Sequence, residues 1–307
     1  MKKSVAANQY PQIIWRNGKK HLWNTIHRKA FKNRPEERVR LRIIEYLLDG
    51  GWSKHRISTE EALKSQKKKT PLRTDLICYT QQFDPFLLVE CKAEQITINE
   101  KTAAQIARYN QNIGAPFLLM TNGVHDYWYK IEDEKKVMSL DTIPSPLPTF
   151  KSSPVKPLAY WKERGFAGDN TSAALRKWLE KALNGSLKES DKSTRFLSFK
   201  TSPSDLDLNN YYTIHSYTDH RLALSFTATP FGGSRLVGIF NKDGLNAGVL
   251  EVNLDLLFDE RKLNASIYTS GGIKNMDVRN HIEWNREPLD FNQLADQLDS
   301  LLAKMLE

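Results

Sequence analysis

Cysteine is nearly absent from this 307-residue chain: Cys78 and Cys91 are the only thiols, too few for a disulfide scaffold or a four-cysteine zinc site. Both fall in apolar segments and read as unpaired core residues of a reducing cytoplasm, and no His-rich spacing offers zinc an alternative. No apolar run approaches the ~20 residues that cross a bilayer, and Met1 to Asn8 lack the apolar core of a secretory leader. A cytoplasmic protein without a membrane partner is expected. No Gly-x-x-x-x-Gly-Lys-Ser/Thr loop occurs, which removes the usual ATP-driven motor. His215 and His220, five positions apart, are expected on opposite faces of one strand, and with His125 they read as ordinary histidines. What remains is a globular composition, 40 % hydrophobic with a mean hydropathy of −0.55, long enough for two cores.

Charge is plentiful and unevenly placed. The net +9 conceals +13 in residues 1–73, where 19 Lys and Arg face 6 Asp and Glu, so the rest sums to −4. Lys67-Lys68-Lys69 alone reads equally well as a solvated run. The whole segment, with Trp15, Trp23 and Trp52 among its cations, reads as a surface that tracks phosphates.

Immediately downstream, Asp75-Leu-Ile-Cys-Tyr-Thr80 and Phe86-Leu-Leu-Val-Glu-Cys-Lys92 are β-prone and flank the loop Gln81-Gln-Phe-Asp-Pro85. A loop centred on the Gln82–Phe83 bond pairs positions whose numbers sum to 165, so Asp75 stands opposite Glu90 with Cβ atoms roughly 4.5–5.5 Å apart. Facing carboxylates destabilise a sheet unless a cation lies between them, and a divalent metal suits that place. Period-two alternation sets Lys92 on the face of Glu90 and turns Cys91 away. Hard oxygen donors with open positions suit Mg²⁺ or Mn²⁺, and Lys92 would orient a water or neutralise a phosphorane. A surface hairpin with solvated ion pairs is the bland alternative; the apolar run Phe86 to Val89 ahead of Glu90 argues against it.

Pro35 to Leu48 reads as a helix with proline at its first position and Gly50-Gly51 at its end. Glu36 shares a stripe with Val39, Ile43 and Leu47, which would carry its carboxylate toward the core edge; Glu36 and Glu37 serve equally to compensate the helix dipole. A second helix is expected from Thr97 to Ile113, stopped at Gly114, with Lys101, Gln105, Arg108 and Tyr109 on one stripe as a DNA-facing surface; a solvated helix exterior is the competing reading, against which Tyr109 argues. Pro116 to Met120, ending in Thr121-Asn-Gly123, and Tyr127 to Ile131 read as further strands of a mixed α/β sheet. Five prolines between Asp141 and Leu158 mark a linker, dividing residues 1–148 from 149–307. The second part carries a helix over 171–184, antiparallel strands from Tyr211 to Ile282, and an amphipathic helix from Asp290 to Leu306. Asp290 and Gln293 form a capping pattern there; Leu294, Leu298, Leu301 and Met305 would dock it on its own domain or form a dimer contact.

Together, Pro35-Glu-Glu-Arg-Val-Arg40, Arg73-Thr-Asp75, Val89-Glu-Cys-Lys-Ala93, Gln105 with Tyr109, and Thr121-Asn-Gly123 resemble the nuclease domain at the N-terminus of type I restriction enzyme R subunits, within the PD-(D/E)xK nuclease superfamily. The resemblance covers about residues 20–148. It implies an α/β (α+β), restriction-endonuclease-like mixed sheet flanked by helices, here followed by a second, strand-rich α+β domain for recognition, oligomerisation or partner binding. It implies Mg²⁺-dependent (or Mn²⁺-dependent) cleavage of DNA in restriction or anti-phage defence. Position by position, Asp75, Glu90 and Glu36 resemble the metal ligands, with Glu37 as the alternative to Glu36, and Lys92 the lysine beside the attacking water. Gln105 and Tyr109 resemble a DNA-contacting pair, with Arg108 and Lys101 beside them. Thr74 stands where the pattern usually has proline, and the helicase of an R subunit is missing. A free-standing endonuclease is therefore expected. The alternatives are a non-cutting DNA-binding or assembly module and the nuclease subunit of a larger restriction complex with a separate motor.

Overall fold

Alternation of apolar and basic residues begins before the first helix. In the computed structural model it produces three antiparallel strands after the short β1 (Lys2–Lys3): β2 (Ile13–Arg16), β3 (Lys19–Asn24) and β4 (Lys29–Lys32). Asn17 and Gly18, at φ 51° and 70°, supply the left-handed two-residue turn that a tight hairpin needs. Leu22 points inward and is buried in the main core. The structure describes residues 2–59, 62–63, 72–99, 106–107, 110–133, 136–149, 155–187, 194–199, 206–259, 263–284 and 290–306. It divides into two compact units, Met1–Ser152 and Ser153–Glu307.

Helix α1 (Pro35–Asp49) starts where proline forbids nothing, since the first helical N–H has no intrahelical partner. Val39, Ile43 and Leu47 are fully buried, and the helix packs them against the sheet. At its C-cap, Gly50 leaves room that a side chain would fill: a Cβ there would lie 2.1 Å from Cγ of Pro148.

The remaining strands of this unit are β5 (Ile57–Thr59), β6 (Ala62–Leu63), β7 (Leu72–Arg73), β8 (Leu76–Tyr79), β9 (Pro85–Cys91), β10 (Phe117–Thr121), β11 (His125–Asp133) and β12 (Lys136–Leu140). Apart from the small β6–β7 pair they join one mixed sheet in the order β1-β11-β10-β9-β8-β5, with β12 also on β11. Among the described residues only β9 and β10 run parallel in it, which requires a crossover between them. One face, with Leu76, Cys78, Leu87, Val89 and Leu119, packs under α1; the other, with Ile77, Leu88, Leu118 and Met120, packs with Ile98 and Ile106. Burial of both faces explains the unbroken apolar run of β9. Cys78 and Cys91 are free and buried.

The β8–β9 ladder has the register expected from the sequence: Leu76 pairs with Val89, Ile77 with Leu88 and Cys78 with Leu87. The loop differs from the symmetric one. A bulge after Cys78 pairs Tyr79 with Pro85, because the Thr80 hydroxyl accepts from the N–H groups of Gln82 and Asp84 while Phe83 turns left-handed at φ 64°. The expected helix over 97–113 is described only in part; it closes at Gly114 (φ 77°), where the Asn110 side chain holds both the N–H and the carbonyl of Ala115. The proline-rich stretch is no free linker at its start. Leu147 is buried in the core and Tyr46 Oη donates to the Pro148 carbonyl, while residues 150–154 lie outside the described residues.

The second unit holds helices α2 (Leu158–Glu163) and α3 (Ala173–Leu187), then an antiparallel meander: β13 (Thr194–Leu197), β14 (Asn210–Ser216), β15 (His220–Ala228), β16 (Ser234–Lys242), β17 (Leu245–Asn253), β18 (Ala265–Thr269) and β19 (Gly272–Met276). Helix α4 (Phe291–Leu306) closes it, with Asp290 Oδ1 accepting from the N–H groups of Asn292 and Gln293. Leu294, Leu298, Leu301 and Leu302 are buried, so α4 docks on its own unit. His215 and His220 are on neighbouring strands, separated by a turn in which Tyr217 N–H donates to the His220 carbonyl, and do not share one strand. His220 is more than a surface ring: its nitrogens meet Asp219 and Asp299, each at 2.8 Å, and it stacks on Tyr217 and Phe240.

Candidate active site

The charged end of the β8–β9 hairpin is assembled from strand register and from one helix. One step beyond the pair Leu76–Val89, Asp75 stands beside Glu90, and its Oδ2 accepts the backbone N–H of Cys91 at 2.7 Å. Glu90 continues the row of Leu88; it pairs in parallel with Met120. Lys92 is fixed one residue further on, where its backbone N–H donates to the Thr121 carbonyl at 2.8 Å and its Nζ reaches Glu90 Oε1 at 2.5 Å. The sequence therefore brings Asp75, Glu90 and Lys92 together.

Helix α1 supplies the cation on the other side. Arg40 donates through Nη2 to Asp75 Oδ1 at 2.9 Å and through Nη1 to Glu37 Oε2 at 2.8 Å. Arg40, Glu37 and Glu90 are nearly buried, whereas Lys92 keeps 27 % of its side-chain surface open to solvent. Glu37 Oε1 also faces the amide of Asn24 at 3.5 Å, and Asn24 caps its own turn by accepting from the N–H groups of Ile26 and His27. His27 Nε2 in turn meets the hydroxyl of Thr59, which pairs with Leu76 next to Asp75.

The acid of α1 in this network is Glu37. Glu36, the expected third ligand, is exposed, while Glu37 is 6 % exposed. Glu37 lies three residues before Arg40 and Glu36 four, so helix spacing allows either to meet it; the guanidinium that reaches Asp75 pairs with Glu37. Lys101, Gln105, Arg108 and Tyr109 lie outside the described residues. Arg40 enters the sequence reading only within the Pro35–Arg40 segment and without a role, and Asn24 not at all; an acid three or four residues before an arginine is the signal available for the first, and nothing local carries the second.

The neighbouring Thr121-Asn-Gly123 turn is structural. Asn122 Oδ1 accepts from the N–H groups of Val124 and His125, and its amide donates to the Ile96 carbonyl. Gly123 sits at φ 76° with Arg42 so close that an added Cβ would meet Nη1 at 2.9 Å. Arg42 also pairs with Glu94 at 2.7 Å, so this turn locks the end of β9 to α1.

The charged form of Glu90 is disfavoured in this setting. Burial raises the pKa of Glu90 above its ordinary value and the charge of Asp75 raises it further; the Lys92 hydrogen bond, with the charges of Lys92 and Arg40, works against both. Among the described residues no group of three or more His, Cys, Asp or Glu side chains gathers as a ready metal cage. Two cross-strand carboxylates are nevertheless a donor set that suits Mg²⁺, which keeps several waters and takes one or two carboxylates plus substrate phosphate.

A protein-family model described as the type I restriction enzyme R protein N terminus (HSDR_N) matches residues 35–144. That span runs from the start of α1 past the end of β12 and contains Glu37, Arg40, Asp75, Glu90 and Lys92. No curated protein and no solved structure matched the chain.

Proposed function

Residues 35–144 form a domain of the type I restriction enzyme R protein N-terminal family, and from this premise we propose that the chain is a Mg²⁺-dependent (or Mn²⁺-dependent) DNA endonuclease of a restriction or defence system. The observation that carries the reading is the juxtaposition of Asp75 and Glu90 across one hairpin, with Lys92 bonded to Glu90 at the solvent edge.

Asp75 and Glu90 would hold the ion. When bound, it supplies Lewis acidity toward a phosphate oxygen and acidifies water. Lys92 presents Nζ–H donors at the mouth of the site, where they orient the attacking water and balance negative charge growing on the phosphorus centre. As the water oxygen bonds to phosphorus and gives up a proton to solvent, the bond to the 3′ oxygen breaks; that oxygen takes a proton from solvent, leaving a 3′-hydroxyl and a 5′-phosphate. Arg40 holds Asp75 in place, and Glu37 holds Arg40. These two are positioning residues.

A second reading has an observation of its own. Arg40 and Lys92 already pair with the two carboxylates, as they would in a DNA-binding module that does not cut. One assay separates the two: supercoiled plasmid incubated with the full chain in Mg²⁺ or EDTA, beside Asp75→Ala and Lys92→Ala. Nicking in Mg²⁺ that disappears in EDTA and in both variants supports the nuclease. Absence of nicking in wild type supports the binding module or a subunit that needs a motor, and nicking that survives both substitutions removes the site assignment.

A further inference from the structure

The stretch ahead of the family-matched span has an extreme composition. Residues 1–34 carry nine Lys and Arg and no Asp or Glu. Six of these cations fall within the three-stranded sheet β2-β3-β4 and its turns. The register sorts them by face. Ile13, Leu22 and Phe31 pair side by side and belong to the inward face, together with buried Asn24. The opposite face carries Arg16 beside Lys19, His21 between Ile14 and Lys32, and Trp23 beside Ala30. Arg16, Lys19 and Lys32 are exposed, and His21 and Trp23 are half-buried.

Two physical features separate this face from an ordinary solvated one. Arg16 and Lys19 are direct cross-strand neighbours, an arrangement that costs stability wherever no anion lies beside it. Among the described residues, Arg16, Lys19 and Lys32 have no carboxylate partner. The sheet is also tied to the candidate active site, through Asn24 to Glu37 and through His27 to Thr59. From Lys19 to Asn24 the strand advances about 17 Å, the axial rise of roughly five phosphates along one DNA strand.

We infer that the outward face of β2-β3-β4, with Arg16, Lys19, His21, Trp23 and Lys32, is a platform that tracks the backbone of duplex DNA and leads it to the carboxylate pair. The leading role rests on the nuclease reading; the binding role does not. The cations meet phosphates, and Trp23 and His21 cover sugar or base edges at the end nearest the site.

The test is equilibrium binding of a fluorescent 30-base-pair duplex to the full chain in EDTA, followed by anisotropy across a salt series. Arg16→Ala/Lys19→Ala/Lys32→Ala is compared with wild type and with the charge-preserving Arg16→Lys/Lys19→Arg/Lys32→Arg. The platform predicts an affinity loss of at least about tenfold and a salt slope smaller by about 2 to 3, near 0.9 for each phosphate that is no longer neutralised, with the charge-preserving variant unchanged. An unchanged affinity and slope in a folded alanine variant overturns it, and duplex RNA binding as tightly as DNA overturns the choice of partner. Should the triple variant not fold, Lys19→Gln/Lys32→Gln gives the same reading with a slope change of about 2. The two proposals fail separately. A wild type that binds through these residues but never cuts leaves the platform standing without the nuclease. A triple variant that binds and cuts like wild type removes the platform alone.

Discussion

Arg40 and Asp75, 35 positions apart, are joined by a 2.9 Å hydrogen-bonded ion pair that ties helix α1 to the mouth of the β8–β9 hairpin. Both carboxylates that Arg40 serves, Asp75 and Glu37, are largely shielded from water, so removing the guanidinium takes a cationic partner from two shielded charges at once. Arg40→Ala is expected to lower unfolding free energy by about 3 kcal/mol or more, measured by urea denaturation, and Arg40→Lys to recover only part of it because an ammonium lacks the planar fork. A variant as stable as wild type would show that the pair is incidental.

The two adjacent acids of α1 make opposite predictions. Glu37 orients Arg40 and through it Asp75, so Glu37→Gln should reduce metal-dependent cutting by about 10- to 100-fold, as loss of a ligand's supporting partner does. Glu36 is exposed, and Glu36→Gln should leave the rate within about twofold. Initial rates of plasmid nicking for the two variants decide it; the reverse order would restore Glu36 as the ligand.

Gly50 tests how the end of α1 is seated. Its φ of −80° suits any residue, so the objection to a side chain is purely steric: the Pro148 ring occupies the space of a Cβ. Gly50→Ala should destabilise the first unit by about 1 to 3 kcal/mol, the range for overpacking, although alanine favours helices more than glycine. A thermal melt showing higher stability would mean that the 141–149 segment moves aside readily.

In the second unit, His220 is clamped between carboxylates from β15's approach and from α4. Burial works against the charged ring, but hydrogen bonds to Asp219 and Asp299, with their charges, outweigh it and raise the pKa above 6.5. Lys242 pairs with Asp219, and Asp296 accepts from Tyr217 Oη, so both also border the cluster. Because the folded value exceeds the unfolded one, this stabilisation is complete below about pH 6.5 and is lost as pH rises through the raised value. His220→Gln should therefore lower Tm by about 2 to 4 °C in acid, the equivalent of about 1 kcal/mol in a domain of this size, with the gap narrowing in alkali. A gap that widens with pH would reverse the sign of the argument.

These relationships differ in how far the chain announces them. The pairing of Leu76 with Val89 and of Cys78 with Leu87 follows from arithmetic on loop length, because a hairpin ladder has one free parameter and buried faces pin it. The bulge at Tyr79 depends on a side-chain hydroxyl, Thr80 Oγ1, and escapes a symmetric count. Choosing between Glu36 and Glu37 requires knowing where Arg40 points, which a helix stripe alone does not give. The β2-β3-β4 sheet has its turn written in Asn17-Gly18, yet its charge obscures the strand alternation. His220 looks ordinary because its partner Asp299 is 79 positions away.

The claim at the centre is that Asp75 and Glu90 together form a divalent-cation site, and Mn²⁺ titration of the metal-free chain by calorimetry, without DNA, addresses it directly. Saturable binding by wild type and by Lys92→Ala, weakened at least about tenfold in both Asp75→Asn and Glu90→Gln, is the predicted result. Wild-type affinity retained in those two variants would contradict it.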